Sequence, residues 1–300
     1  MRRLIHLTTG FLLASFALGT VAEHIDLQQY MAISGPKPQT VFRYGLAPSQ
    51  TAELFRPEGP GPFPVAILIH GGCWLSKYGG LPQFRVLAAA LSARGIATWN
   101  IEYRRVDEPG GGYPGTYQDV AAALDMLHAK GAQLDLDLRR LVAVGHSAGA
   151  DLALWAAGRA RIASTSPLFT EAPLRIPTVI SLGGLPDLRN DAATIGRSCG
   201  LDVTTLIGKP SAARPDPFAD TSPASMLPDG VNTVGINGAH DTIAPPEIAS
   251  EYAALARKAG DQARTVVVEN AGHLDEVTMS SPVWPVLNAE IREALHINDD

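Results

Sequence analysis

Residues 145–149, GHSAG, form a Gly-x-Ser-x-Gly pentapeptide directly after the apolar run 141–144. Between a strand and a helix, such a pentapeptide makes a sharp turn that exposes the serine hydroxyl at the edge of a sheet. So tight a turn needs flanking positions nearly free of side chain, and Gly145 and Gly149 meet that need. The following helix aims its N-terminal dipole at the site. The pentapeptide therefore predicts an α/β sheet that presents Ser147 as a nucleophile.

Strand-like and helix-like segments alternate along most of the chain. The segments predicted as strands are 40–45, 51–56, 65–69, 96–103, 140–144, 177–182, 231–237 and 265–269. Between them, apolar residues recur at helical spacing, as at Phe84, Leu87 and Leu91. The run 65–69 is continuously apolar, as expected for a strand buried on both faces of a parallel sheet. We predict a mostly parallel central sheet with helices on both faces.

Composition narrows the class of protein. Apolar residues make up 46% of the chain and charged residues 18%, which is typical of a globular protein, and 300 residues are enough for a deep core. The net charge of −6 gives no reason to expect nucleic acid or an anionic membrane as a partner. The Cys and His spacings of zinc sites are missing, so no metal and no organic cofactor is predicted. We interpret residues 23–300 as a single domain.

Residues 1–22 have the pattern of an export signal. Two arginines precede the mostly apolar run 4–18, and small residues before Glu23 predict cleavage after Ala22. An uncleaved membrane anchor is disfavoured because the apolar run is short. A lipoprotein signal is disfavoured because no cysteine follows the apolar run. We expect a periplasmic or secreted chain without stable membrane insertion after cleavage. In such an oxidising compartment Cys73 and Cys199 either pair or remain free thiols, and the sequence leaves both open.

One segment breaks the alternation of strands and helices. Residues 185–229 have no clean period and contain five prolines after Lys209. A stretch of this length within a compact domain is usually a lid or a binding loop. We predict an irregular cap over the site, with a mobile surface excursion as the alternative.

A serine nucleophile needs a histidine base, and three histidines follow Ser147. When the nucleophilic serine lies on a turn between a strand and a helix of such a sheet, the acid comes next along the chain and the histidine comes last. His273 lies just past the strand 265–269, at the same edge of the sheet as the sharp turn 145–149, which we call the elbow. His296 lies near the end of the last helix, and His240 is directly followed by a better candidate for the acid. We therefore predict His273 as the base.

Asp241 is the predicted acid. It follows the strand 231–237, on a loop between the elbow and the histidine. A carboxylate beside His273 fixes the ring tautomer and stabilises the imidazolium formed during attack. The other acids considered are Asp216 and Asp220, which lie in the cap segment, and Asp275, which is too close in sequence to reach the far ring nitrogen easily.

The oxyanion site needs two backbone N–H groups, one of them from the residue after the nucleophile, Ala148. The other is expected from the loop 70–74 that follows the strand 65–69, with Gly72 and Cys73 as the candidates. His70 is predicted to brace this loop from beneath by hydrogen bonds. The residues expected to support the loop and the elbow are His70, Gly71, Trp74, Gly145 and Gly149.

Residues 70–74, HGGCW, resemble the His-Gly-Gly-x-Trp loop of small carboxylesterases, and the mature chain is similar to the α/β-hydrolase superfamily. Acetyl and feruloyl esterase-like hydrolases and kynurenine formamidases share this loop. The stretches 103–105, 113–120 and 273–284 resemble the same branch. Many relatives have a third glycine where this chain has Cys73, but only the N–H of that position is used. The helical N-terminal cap of many relatives is not evident here, which favours an open or differently covered site.

The resemblance and the residues together predict a serine carboxylesterase with the triad Ser147, Asp241 and His273. We expect it to cleave small-molecule esters with short acyl or aryl groups through an acyl-enzyme, without metal or cofactor. One alternative is a kynurenine formamidase-like amide hydrolase, against which the export signal argues because that pathway is intracellular. The other is a binding scaffold with little turnover, which nothing in the sequence demands because every triad position is filled.

Overall fold

The structure is a computed structural model that describes residues 24–297. The predicted export signal and its cleavage position lie outside these residues. In the part of the chain that is described, no helix combines the length and apolar character needed to cross a membrane.

The described residues build one eight-stranded sheet. Its strands are β1 Thr40–Arg43, β2 Thr51–Phe55, β3 Phe63–Ile69, β4 Ala97–Ile101, β5 Leu136–His146, β6 Thr178–Leu182, β7 Asn232–Gly238 and β8 Ala263–Val268. Their spatial order is β1-β2-β4-β3-β5-β6-β7-β8. β2 pairs antiparallel with both β1 and β4, and all the other pairs are parallel. The predicted mostly parallel sheet is confirmed.

Eight α-helices accompany this sheet in residues 24–297. They are α1 Leu27–Ala32, α2 Leu81–Ser92, α3 Gly115–Lys130, α4 Ala148–Ala157, α5 Ala192–Cys199, α6 Val203–Ile207, α7 Pro246–Ala259 and α8 Val283–Ala294. Short 3₁₀ turns fill several connections, including one at His273–Val277.

The core lies on both faces of the sheet. Along β3, Val65 and Ile67 belong to the apolar cluster that includes α3 and α4, whereas Ala66 and Leu68 belong to the cluster of α2 and α8. Successive strand side chains point to opposite faces, so a strand covered on both sides has to be apolar at every position. This is why 65–69 is an unbroken apolar run.

The segment 185–229 is more regular than its sequence predicts. It contains α5 and α6 and two 3₁₀ turns, Pro217–Asp220 and Pro223–Met226. Helices of eight and five residues are too short to leave a clear period. The segment is tied to the domain, since its Leu185, Ile195 and Leu206 are buried in the same cluster as α3 and α4.

Four loops of interest leave the same edge of the sheet. The parallel strands β3, β5, β7 and β8 lead respectively into residues 70–74, Ser147, Asp241 and the turn that begins at His273. In an open parallel sheet, the carboxyl ends of the strands form the crevice where ligands bind.

Candidate active site

Ser147 occupies the sharp turn between β5 and α4. Its φ of 54° and ψ of −122° lie outside the regions that ordinary residues occupy. Its N–H donates to the carbonyl of Leu182 at 2.8 Å, which helps to hold the turn. A Cβ on Gly145 would lie 2.2 Å from the Gly149 carbonyl oxygen, and one on Gly149 would lie 2.1 Å from that of Ile69. Both flanking glycines are therefore required by close packing of the backbone.

Asp241 and His273 form a direct pair. His273 Nδ1 lies 2.8 Å from Asp241 Oδ2, so the ring donates to the carboxylate. The other carboxylate oxygen, Oδ1, accepts the N–H groups of Ile243 and Ala244 at 2.8 and 2.9 Å. Both side chains are buried. With the Nδ1 proton held by Asp241, the Nε2 atom of His273 is left to accept a proton.

Ser147 and His273 line the same pocket, which has a volume of about 250 Å³. Gly72 and Cys73, from the loop after β3, line it as well. The other lining residues are Leu27, Tyr30, Tyr78, His146, Ser198, Ile243 and Leu274. The pocket thus gathers the predicted nucleophile, base and oxyanion loop, and none of the residues in 24–297 that line it is Asp, Glu, Lys or Arg.

The loop after β3 has an unusual backbone. Gly72, Cys73 and Trp74 all have positive φ, at 112°, 53° and 53°. Within residues 24–297, no backbone–backbone hydrogen bond uses the N–H of Gly72 or Cys73. These two groups at the pocket wall, together with the N–H of Ala148 at the start of α4, are available to bind a developing oxyanion.

A buried network lies under this loop. His70 Nε2 is 2.8 Å from Glu102 Oε1, and His70 Nδ1 is 2.7 Å from the Gly71 carbonyl. The His70 ring stacks on Tyr103, whose hydroxyl donates to the His70 carbonyl at 2.9 Å. Burial raises the pKa of Glu102, but His70, Arg105 and the Tyr103 N–H outweigh it and bring that pKa to about 2. His70 therefore packs beneath the loop and does not line the pocket.

The two cysteines are joined. Cys73, in the loop after β3, forms a disulfide with Cys199, the last residue of α5, with a Cα–Cα distance of 5.4 Å. The sequence left this pairing open, and the structure shows it formed. The bond fastens the loop after β3 to the segment 185–229, whose Ser198 lines the pocket.

The other candidate acids and histidines have other partners. Asp216 pairs with Arg189 and Asp220 with Arg214, both inside the segment 185–229.

Asp275 accepts the Gly272 N–H at 2.7 Å and contacts His24 Nδ1 at 2.9 Å. The His240 ring lies tilted against the His24 ring, with the ring centroids 5.1 Å apart, and His296 lines a recess at the opposite edge of the sheet.

That recess is larger, about 560 Å³, but it lies at the wrong end of the strands. It is lined by Thr178, Asn232 and Ala263, which begin β6, β7 and β8. None of the residues predicted for catalysis lines it. We therefore place the candidate site in the smaller pocket at the carboxyl ends of the strands.

The sequence analysis missed the cover provided by the N-terminal segment. No helical N-terminal cap was expected, yet α1 contributes Leu27 and the buried Tyr30 to the pocket wall. The capping box of α1, formed by Asp26 and Gln29, is a sequence pattern that could have revealed this helix. At only six residues, α1 is too short to show a period.

Two further side chains near the site were also missed. Glu102 directly precedes the stretch 103–105 and reaches back to His70. Glu276, three residues after His273, is fully buried behind the histidine. No pattern in the sequence distinguishes either residue from a solvated surface glutamate.

Comparison with known proteins relates most of the chain to esterases. The family model described as BD-FAE matches residues 53–254. No curated protein matches. Among solved structures, a truncated carbohydrate esterase from gut microbiota is 19% identical, with a TM-score of 0.71, over 88% of this chain and 99% of that one.

Two other solved structures are similar. Esterase B from Lactobacillus rhamnosis is 21% identical, with a TM-score of 0.72 over 87% of each chain. Thermogutta terrifontis esterase 2, phosphoramylated by tabun, is 18% identical, with a TM-score of 0.68, over 90% of this chain and 97% of that one. At these identities the comparison establishes the shared fold.

Proposed function

Because the chain belongs to the BD-FAE family, we propose that it is a serine hydrolase that cleaves carboxylic esters through an acyl-enzyme intermediate. The observation that carries this proposal is the shared pocket of Ser147 and His273, with Asp241 bonded to the far side of the histidine ring. Esterases of the same fold support it.

The mechanism follows from the positions of these groups. Ser147 attacks the ester carbonyl while His273 Nε2 takes the serine proton. Asp241 stabilises the imidazolium that forms. The N–H of Ala148 and those of Gly72 and Cys73 bind the tetrahedral oxyanion. His273 then gives its proton to the leaving alcohol. Water next attacks the acyl-enzyme while His273 takes the water proton, and His273 returns that proton to the Ser147 oxygen as the bond to the acyl group breaks and the acid leaves.

The pocket favours small, uncharged substrates. Its volume of about 250 Å³ is below the range of roughly 300–1,000 Å³ typical of sites for drug-sized ligands. Leu27, Tyr30, Tyr78, Ile243 and Leu274 give it a largely apolar wall. We infer that short acyl or aryl groups bind here.

We also propose that residues 1–22 are an export signal and that the mature chain acts in the periplasm or outside the cell. The Cys73–Cys199 disulfide supports this proposal, because such bonds persist in oxidising compartments. The test is mass spectrometry of the protein recovered from the periplasm or the medium. We expect its N-terminus near Glu23. A protein that is found there and still begins at Met1 would contradict the proposed cleavage.

The test of the activity is hydrolysis of a substrate panel by the mature protein. The panel holds p-nitrophenyl acetate, butyrate and octanoate, methyl ferulate, acetylated xylan and N-formylkynurenine. Ser147→Ala should lower turnover by at least about 10⁴-fold. Ser250→Ala, which changes an exposed serine on α7, is the matched control and should retain wild-type rates.

Each outcome has a definite meaning. Turnover of short esters that disappears in the Ser147→Ala variant supports the esterase. Preference for N-formylkynurenine would identify an amide hydrolase instead. Absence of turnover on every substrate, together with no reaction of Ser147 with an organophosphorus probe, would favour the binding scaffold. Such a probe suits this fold, since a tributyrin phosphonate and tabun were used on the similar esterases.

A further inference from the structure

A buried carboxyl group that the mechanism does not use lies behind the catalytic histidine. Glu276 belongs to the turn His273–Val277, and its side chain is wholly inaccessible to solvent. Its Oε1 accepts the N–H of Gly238, the last residue of β7, at 2.9 Å. Glu276 therefore links the loop that carries the base to the strand that leads to Asp241.

The Glu276 side chain lies close to the groups of the triad. It is buried beside Asp241, whose charge helps to raise the pKa of Glu276. One ring nitrogen each of His146 and His273 and one carboxylate oxygen of Glu276 all lie within 4.8 Å of one another. A Cβ built on Gly183 would be 2.4 Å from Glu276 Oε2 and 2.8 Å from His273 Nδ1, so only glycine fits against this group.

No cation in the described structure neutralises Glu276. His146 Nε2 lies 3.8 Å from Glu276 Oε2, but it donates to the His273 carbonyl at 3.0 Å. Burial, together with the nearby His273, holds the pKa of His146 well below its usual value, so this ring is neutral. The Nδ1 proton of His273 is taken by Asp241.

The remaining charged neighbour, Asp275, is itself an acid and supplies no positive charge. Its carboxylate binds His24 Nδ1 and the Gly272 N–H.

Two carboxyl groups buried close together inside a protein cannot both be ionised without a compensating charge, and one of them then keeps its proton. Asp241 is the better anion, because it accepts two backbone N–H groups and the imidazole N–H. Glu276 accepts one N–H, and its Oε2 has no donor within residues 24–297. The proton therefore belongs on Glu276 Oε2.

We propose that Glu276 is a positioning residue of the triad: it stays a neutral acid and donates its O–H to Asp241 Oδ2, which aims that carboxylate at His273. This inference rests on the proposed function. Oδ1 of Asp241 already accepts two N–H groups, so the free lone pair is on Oδ2, beside the bond to His273. Burial and the neighbouring Asp241 raise the pKa of Glu276 well above its usual value, in agreement with this arrangement.

The rival arrangement has Glu276 ionised. A second buried anion beside the ring would raise the pKa of His273 and strengthen it as a base. The two arrangements differ in what Glu276→Gln does. Glutamine keeps the acceptor for Gly238 N–H and a donor for Asp241, but it cannot carry a charge.

The experiment compares Glu276→Gln, Glu276→Leu and Glu269→Gln, the last at an exposed position near the end of β8. The His273 ring is titrated by NMR, and the rate of reaction of Ser147 with an organophosphorus probe is followed against pH. The His273 titration needs no substrate. A wild-type Ser147 that does not react would therefore count against the proposed function and leave the test of Glu276 intact.

We expect Glu276→Gln to keep the His273 pKa within about 0.3 unit of wild type, because no charge is lost. Glu276→Leu should slow the Ser147 reaction about tenfold or more, since it leaves the Gly238 N–H unsatisfied and Asp241 less firmly held, and glutamine should restore most of that rate.

A fall of one unit or more in the His273 pKa of Glu276→Gln would overturn the proposal, because Glu276 would then be ionised. A folded Glu276→Leu that reacts at the wild-type rate would also overturn it. If Glu276→Leu does not fold, the titration of Glu276→Gln alone decides between the two arrangements.

Discussion

Cys73 and Cys199 join the loop after β3 to the end of α5, across 126 positions of sequence. Cys73 has a φ of 53°, in the left-handed region that costs a non-glycine residue about 1–3 kcal/mol when the surroundings do not hold it. The bond is therefore placed where it restrains the backbone N–H that we assign to the oxyanion site.

We expect reduction of this disulfide to lower kcat by about five- to tenfold and the free energy of unfolding by about 2–4 kcal/mol. Ester hydrolysis and thermal unfolding with and without dithiothreitol measure both effects. The double variant Cys73→Ser/Cys199→Ser should be indifferent to the reductant. Full activity in a wild-type sample whose two thiols titrate as free would contradict this role for the bond.

Asp241→Asn should lower kcat by roughly 10³- to 10⁴-fold, because the amide favours the wrong tautomer of His273 and does not stabilise its protonated form. Asp275→Asn is the comparison, since Asp275 binds Gly272 N–H and His24 and does not contact the His273 ring nitrogen. We expect Asp275→Asn to lower kcat by less than about tenfold. Equal losses in the two variants, measured as kcat on p-nitrophenyl acetate, would contradict the choice of acid.

Tyr30→Ala should shift substrate preference toward longer acyl chains, because Tyr30 is a buried part of the pocket wall. We expect the ratio of kcat/KM for octanoate to that for acetate to rise about tenfold. Gln28→Ala, at an exposed position on α1, controls for general effects on the helix. An unchanged ratio in a folded Tyr30→Ala protein would mean that acyl groups do not lie against α1.

Deprotonation of the Asp191 carboxyl should lower the stability of the folded protein as the pH rises from about 4 to 7. Burial raises the pKa of this residue from 3.8 to about 7 in the folded state. The folded state therefore binds the proton more tightly, and the stability gained below pH 4 is lost as the pH approaches 7.

Asp191→Asn should make this decline less steep. We expect the fall in the free energy of unfolding between pH 5 and 8, measured by urea unfolding, to be about 1–2 kcal/mol smaller than in the wild type. The amide oxygen still accepts the Asp187 N–H that Asp191 accepts at 3.0 Å. Asp202→Asn should leave the slope unchanged, because Asp202 is exposed and its lowered pKa keeps it ionised over the whole range. A wild-type slope in Asp191→Asn would show that other groups cause the decline.

The local sequence pattern was sufficient to predict the strands that are buried on both faces. The run 65–69 lies within β3, and the elbow at Ser147 joins β5 to α4 as expected. The start of β5 was missed by four residues, because residues 137–140 carry paired Asp137, Arg139 and Arg140 side chains at the edge of the core. Polar positions at a strand end do not show the apolar run by which buried strands are recognised.

The sequence by itself determined the sheet, the elbow and the order of Ser147, Asp241 and His273, because each depends on short-range pattern or on the rule that parallel strands end at one edge. Only the tertiary structure decided the rest. The Cys73–Cys199 bond, the position of Tyr30 and Ser147 in one pocket and the placement of Glu276 beside Asp241 bring together residues that are 126, 117 and 35 positions apart, respectively. Such contacts depend on how distant elements pack together, and no local periodicity records that packing.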